Sequence, residues 1–254
     1  MALLDLQDLT VRFGGVLALD ALSFTVDAGQ ICGLIGPNGA GKTTLFNCLS
    51  RIYQPTSGRI TFDGRDLLAV PAHRIARHGI ARTFQNLALF PSMTVLENVM
   101  VGAHSVSRQN WATAALRLGT RREERRLTAR AADILRRLDL DRYAWRPCVG
   151  LPFGTMKRIE IARALAASPR LLLLDEPASG LTHAEVEELA RTLRQVRDDF
   201  GLTVVLVEHH MQMVMGLSDT IVVLDFGRKI ADGPPDRIRD DPRVVAAYLG
   251  SAVA

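Results

Sequence analysis

No stretch of this chain stays apolar for long. Its apolar runs, such as residues 171–174 and 203–207, fall far short of the roughly 20 residues that a membrane-spanning helix requires. The chain is therefore not expected to cross a bilayer by itself. A basic leader followed by an apolar signal core is also missing, since Met1 runs directly into alternating Leu, Asp and Gln; a cytoplasmic location is expected. Cysteine is scarce: Cys32, Cys48 and Cys148 are odd in number and irregularly spaced, with no C-x-x-C pair. That pattern speaks against a disulfide framework and against a zinc site, and leaves small buried thiols. Nor does one sign of charge dominate. A net +4, from 31 basic and 27 acidic residues, is too small an excess to identify a nucleic acid or a membrane surface as partner. Internal repeats and low-complexity tracts are absent as well.

What is present suits a sizeable core. With 254 residues, 48% of them hydrophobic, the chain can form one large domain or two closely joined lobes. Residues 3–27 alternate apolar and polar side chains around Gly14-Gly15, which reads as antiparallel strands. Residues 30–35 form a short apolar strand that passes through a glycine-rich loop into a helix starting near Lys42. Strand alternation returns at 59–62, a short helix is expected over 71–78, and a further strand over 80–84. From 93 to 165 the period is helical, with arginine-rich faces between 117 and 137, and this stretch reads as an inserted helical lobe. Apolar strands at 170–174, 203–207 and 220–224 then alternate with helices at 184–199 and 211–217, the signature of a parallel sheet. Two small helices are expected over 234–247.

Two segments carry chemistry. Gly36-Pro37-Asn38-Gly39-Ala40-Gly41-Lys42-Thr43 fits G-x-x-x-x-G-K-[ST] between a strand and a helix. Glycines let the backbone wrap phosphate oxygens, and the N–H groups that open the helix face the anion. Lys42 would reach the β and γ phosphates and Thr43 would hold Mg²⁺. The second segment, Leu171-Leu172-Leu173-Leu174-Asp175-Glu176-Pro177, ends a buried strand with two carboxylates, at the strand end where open α/β sheets bind ligands. Adjacent side chains on extended backbone point in opposite directions, so Asp175 can support Mg²⁺ while Glu176 orients or deprotonates an attacking water. The run Arg121-Arg122-Glu123-Glu124-Arg125-Arg126 mixes signs at helical spacing and reads as an exposed helix face.

With these segments in hand the whole chain resembles the ABC ATPase family, because its motifs occur in that family's order. The resemblance implies an α/β fold with a P-loop NTPase core and mostly parallel sheet, an N-terminal antiparallel β subdomain and an inserted α-helical subdomain. It makes 1–254 a single nucleotide-binding domain, with 1–87 and 168–254 as a RecA-like core and 88–167 as the helical signature subdomain. Phe13 matches the aromatic residue on which adenine stacks, and the phosphate loop with Thr44 completes the nucleotide contacts. Gln85, in Arg82-Thr83-Phe84-Gln85-Asn86, matches the glutamine that senses Mg²⁺ and the γ-phosphate and touches the membrane subunit. Leu151-Pro152-Phe153-Gly154-Thr155 stands in place of the signature Leu-Ser-Gly-Gly-Gln, with only Leu151 and Gly154 strictly matched. Ala178-Ser179-Gly180-Leu181-Thr182 follows the carboxylates, with Thr182 where the family has Asp. His209 matches the switch histidine, and His210 reads as a helix-start surface residue.

The resemblance further implies a transport ATPase using ATP and Mg²⁺, with Lys42, Gln85, Glu176 and His209 as its catalytic set. A second ATPase subunit, identical or paralogous, would supply the signature segment head to tail. Transmembrane permease subunits and, indirectly, a substrate-binding protein would complete the assembly at the cytoplasmic face of the inner membrane, with no nucleic acid. Within the family, Phe153-Gly154, Glu208-His209, Val214-Met215-Gly216-Leu217-Ser218-Asp219 and Ala247-Tyr248-Leu249-Gly250 are similar to importers of branched-chain amino acids; relatives serving urea, amides or aromatic acids share these features. Two rivals lack support in the residues. A soluble ABC ATPase acting on nucleic acid or ribosomes would usually carry coiled coils, zinc inserts or fused cassettes. A small-molecule P-loop kinase would leave Gln85, the signature region and His209 without a purpose.

Overall fold

The computed structural model of the protein describes residues 2–83, 87–104 and 120–250. The chain opens with β1 (Ala2–Phe13) and β2 (Val16–Asp27), paired antiparallel from Phe13↔Val16 around the Gly14-Gly15 turn. Next come β3 (Ile31–Ile35), α1 (Lys42–Leu49), β4 (Ser57–Phe62), β5 (Arg65–Asp66) and β6 (Ile80–Arg82). The short helix expected over 71–78 is a 3-10 helix over Ala72–His78, which Gly79 ends in the left-handed region. Three α-helices follow among the described residues, α2 (Val95–Ala103), α3 (Thr120–Arg137) and α4 (Phe153–Leu165), with a 3-10 turn at Asp141–Tyr143 between the last two. The chain then returns to strands with β7 (Leu171–Asp175), α5 (His183–Phe200), β8 (Thr203–Val207), α6 (Met211–Leu217), β9 (Thr220–Asp225) and β10 (Arg228–Gly233), and ends in α7 (Pro235–Arg239) and α8 (Pro242–Gly250).

Two sheets result. The first has the order β2-β1-β4-β5 and is antiparallel; the second has the order β10-β9-β3-β8-β7-β6. In the second, β9, β3, β8, β7 and β6 run parallel and only the edge strand β10 is antiparallel. Strands β3, β7 and β8 are buried along their whole length, as unbroken apolar runs require when both faces are covered. Their alternation decides what each face meets. Leu171 and Leu173 pack with β1, β2 and α1, whereas Leu172 and Leu174 pack with α5 and the helices α2 to α4. The helical stretch thus shares one continuous core with a face of the parallel sheet.

Helix α3 shows why a basic sequence folds here. Leu127, Ala131, Ile134, Leu135 and Leu138 recur at three and four spacing and are buried, and each such leucine contributes roughly 1.5–3 kcal/mol. Charges pair along the helix, the exposed Arg126 with the partly buried Glu123, and Asp133 with Arg136 and Arg137. Glu124, Arg125 and Arg126 lie on the exposed charged face expected over 121–126, while the side chains of Arg121 and Arg122 lie outside the described residues. Capping boxes fix two other helix starts, Thr94 with Glu97 on α2 and Thr182 with Glu185 on α5.

Candidate functional site

The phosphate loop spans the end of β3 and the start of α1, and two of its glycines, Gly36 and Gly41, are required by contact. A Cβ on Gly36, at φ 150°, would stand 2.1 Å from the Leu224 carbonyl oxygen, and one on Gly41, at φ 99°, would stand 2.6 Å from that of Ala18. Gly41 caps α1 without a side-chain bond, so the first-turn N–H groups remain open to an anion. Lys42 Nζ donates to the carbonyls of Gly36 at 2.6 Å and Pro37 at 2.8 Å, which holds the ammonium over the loop. Burial lowers its pKa, and the charges of Glu176 and Asp175 oppose that shift. A cavity of about 340 Å³ is lined by Asn38 to Thr44, by Ala18 and Phe226, and by Glu176.

Glu176 reaches this cavity through strained backbone. Its φ is +47°, a left-handed conformation that costs roughly 1–3 kcal/mol for a residue with a Cβ, and its N–H is held by the Val207 carbonyl at 2.9 Å. The preceding Asp175 is buried at the end of β7, where Oδ2 accepts from Arg82 at 2.8 Å. A carboxylate beside a phosphate cradle can orient or deprotonate water, and one behind it can neutralise a cation.

Beyond β8 lies a residue that the sequence names beside His209 without giving it a role. Glu208 is 2% exposed; its Oε1 accepts the Ala178 N–H at 2.7 Å, and its Oε2 accepts the N–H groups of His209 and His210. His210 Nδ1 also lies 2.9 Å from Oε2, so this ring belongs to the network of the loop. His209 is the more exposed of the two and stands 3.9 Å from Glu176 Oε1. Their rings stack with centroids 4.8 Å apart, on the wall of a larger cavity of about 610 Å³ between α5 and α6. The signal in the sequence was a lone acid ending a wholly apolar strand.

The signature segment opens α4. Pro152 is its N-cap and offers no side-chain bond, while Leu151 anchors the segment in the core. The Phe153 ring lies against Gly180, 3.2 Å from where that residue's Cβ would be, and Lys157 Nζ stands 5.6 Å from the ring centroid. A Cβ on Gly154 would meet Glu185 Oε1 at 2.9 Å. The Glu185 carboxyl is held below its usual range first by the Thr182 N–H and hydroxyl and also by the Gly154 N–H. Residues 151–155 do not line the phosphate-loop cavity of their own chain. Phe13 does not line it either; half-exposed, it packs edge-on against Tyr53 at 5.1 Å between centroids. Gln85 lies outside the described residues.

Comparison with known proteins follows the same outline. A family profile described as "ABC transporter" matches residues 19–179, and one described as "Branched-chain amino acid ATP-binding cassette transporter" matches residues 228–254. The chain is 44% identical over 251 residues to the high-affinity branched-chain amino acid transport ATP-binding protein BraF of Pseudomonas aeruginosa, with 98% of each chain covered. It is 42% identical over 251 residues to the transport ATP-binding protein LivG of Escherichia coli, again with 98% of each covered. A crystal structure of the ADP conformation of an ATP-binding cassette of an ABC transporter superposes with a TM-score of 0.87 at 30% identity, covering 98% of this chain and 99% of that one.

Proposed function

The chain belongs to the ABC transporter family as an ATP-binding, ATP-hydrolysing subunit, and from that premise we propose that it energises the import of branched-chain amino acids or related small polar solutes. The cargo reading is supported by what BraF and LivG are named for and by the profile matched at residues 228–254. The observation that carries the chemistry is the shared cavity, in which the phosphate loop and the Glu176 carboxylate face the same space of about 340 Å³. In this reading Lys42 binds the β and γ phosphates, Glu176 orients or deprotonates the attacking water, and His209 assists beside it.

The residues present fit a magnesium nucleotide. The glycine cradle admits no side chain at Gly36 or Gly41, and the donor set is a hydroxyl at Thr43 and a carboxylate at Asp175, the oxygen ligands that Mg²⁺ prefers. When bound, Mg²⁺ would neutralise charge building on the phosphates, and Gln85 would sense it from the segment that leads to the helical lobe, residues 88–167. Phe13 would stack on adenine. The signature Leu151-Pro152-Phe153-Gly154-Thr155 would serve the nucleotide of a second ATPase subunit, so that two ATP close a head-to-tail dimer and hydrolysis reopens it.

Permease subunits would receive that motion at the cytoplasmic face of the inner membrane, where this chain is peripheral; among the described residues no helix is long and apolar enough to cross a membrane. The test is reconstitution of the native complex in proteoliposomes with its substrate-binding protein. ATP hydrolysis should be stimulated when that protein is loaded with leucine, isoleucine or valine. Stimulation by urea or an amide alone would overturn the cargo reading.

A further inference from the structure

Arg82 closes β6 and sends its guanidinium across to the end of β7. One terminal nitrogen donates to Asp175 Oδ2 at 2.8 Å; the other donates to Asn47 Oδ1 at 2.8 Å and to Ser50 Oγ at 3.3 Å. The guanidinium carbon lies 5.5 Å from the centroid of the Phe46 ring. Phe46 and Asn47 belong to α1, the helix that continues the phosphate loop, and Ser50 caps its C-terminal end, where the helix dipole also favours a cation. Both side chains of the ion pair are about nine-tenths buried, at 10% and 11% exposure.

We propose that Arg82 is a positioning residue that acts as the resident counter-ion of Asp175 and yields the carboxylate to the divalent cation when nucleotide binds. The inference rests on the reading of Asp175 as the magnesium-side carboxylate. A carboxylate this deep is strongly disfavoured without a cation beside it, so something must neutralise it between turnovers. Arg82 is suited to let go, because Asn47, Ser50 and the Phe46 ring still hold the guanidinium once Asp175 has turned to the metal. Arg82 also begins Arg82-Thr83-Phe84-Gln85, so an exchange of partners at Asp175 acts at the root of the segment leading to the helical region.

Competition has a measurable consequence. The apparent affinity for a cation falls in proportion to the fraction of time the carboxylate is free to receive it. We would titrate Mn²⁺ into the full-length protein with a non-hydrolysable ATP analogue, and read free Mn²⁺ by electron paramagnetic resonance. Arg82→Met should tighten Mn²⁺ binding at least about threefold by this population argument, while nucleotide affinity in EDTA changes less than about twofold. Arg82→Lys keeps the charge but cannot hold three partners at once, and should fall between Met and the native residue. If Arg82→Met does not fold, tightening in Arg82→Lys decides the question. Unchanged or weaker Mn²⁺ binding in the folded Arg82 variants, with Asp175→Asn weakened, overturns the counter-ion role alone. Native Mn²⁺ affinity in Asp175→Asn overturns the metal reading of Asp175 and the inference with it.

Discussion

Glu208 Oε1 accepts the backbone N–H of Ala178 at 2.7 Å, so one buried carboxylate ties the loop after Glu176 to the loop after β8. Its other oxygen accepts from His209 and His210. Glu208→Ala leaves three backbone donors without their acceptor, and each buried donor left unsatisfied costs about 1–3 kcal/mol. The variant should lose about 2 kcal/mol or more of stability in a urea titration, and its ATPase rate should fall further than its nucleotide affinity. A variant of native stability would show that the network carries no load.

Glu176→Gln keeps the shape of the side chain that faces the phosphate cradle and removes its basicity. ATP binding should persist while hydrolysis falls about 10²–10⁴-fold, the usual contribution of a positioned base. The dimer should then accumulate with ATP and Mg²⁺ and elute early from a gel-filtration column. A monomeric elution, or native turnover, would remove Glu176 from the chemistry.

The adjacent histidines differ in what they touch. His209 stands 3.9 Å from Glu176 Oε1, and His210 Nδ1 stands 2.9 Å from the buried Glu208. His209→Ala should slow turnover with ATP affinity and thermal stability nearly unchanged. His210→Ala should lower thermal stability, with a smaller effect on turnover per folded molecule. The opposite assignment of the two phenotypes would place the switch at His210.

The free thiols set an alkaline limit. Burial pushes Cys48 up to about 11 and Cys32 up to about 12 from an ordinary 9.0. Both should resist alkylation at pH 8 in the native protein and react fully in urea. Because the folded pKa values are raised, their stabilising contribution is complete below pH 9 and is lost as pH climbs toward 11 and 12. Unfolding free energy measured from pH 8.5 to 10.5 should fall, and substitution of Cys48 by Ala should flatten the slope.

Segments with a fixed local period are legible in the sequence. The strand at 203–207 and the helix at 211–217 were expected with the bounds that β8 and α6 have, because an unbroken apolar run and a three-to-four spacing each define one element. Strand β10 was not expected: Arg228 and Lys229 are exposed at its start, and it is held by pairing with β9. Contacts distant in sequence were equally silent. The Arg82–Asp175 bond joins residues 93 apart, and the Ala178–Glu208 bond joins residues 30 apart, so neither leaves a pattern within any window of the sequence. Gly154 and Glu185 are a further case, since a glycine in a segment that matches the signature at only two positions gives no sign of the carboxylate beside it.

That carboxylate sharpens the test of the signature. Pro152 has neither a hydroxyl nor an N–H, so it cannot give the partner's γ-phosphate the hydrogen bond that serine gives in the family's motif. The donors left are the backbone N–H groups that open α4, where the dipole also favours an anion. One charge-assisted hydrogen bond among several is worth about 1.5–3 kcal/mol, so its loss weakens the site without abolishing it. The native chain should therefore be a working ATPase, and Pro152→Ser should tighten ATP-driven dimerisation. Gly154→Asp should be far worse for two reasons. On the proposed reading of the signature it sets a negative charge against the γ-phosphate of the partner's nucleotide, and its Cβ begins 2.9 Å from Glu185 Oε1, which crowds two carboxylates together in its own chain. Gly154→Ala separates the two effects, since a methyl needs only the end of a flexible glutamate to shift. ATPase rates of the assembled transporter should rank Pro152→Ser at or above native, Gly154→Ala below native, and Gly154→Asp near zero. An inactive native protein rescued by Pro152→Ser would mean a degenerate signature, and an active Gly154→Asp would mean that this helix start never faces ATP.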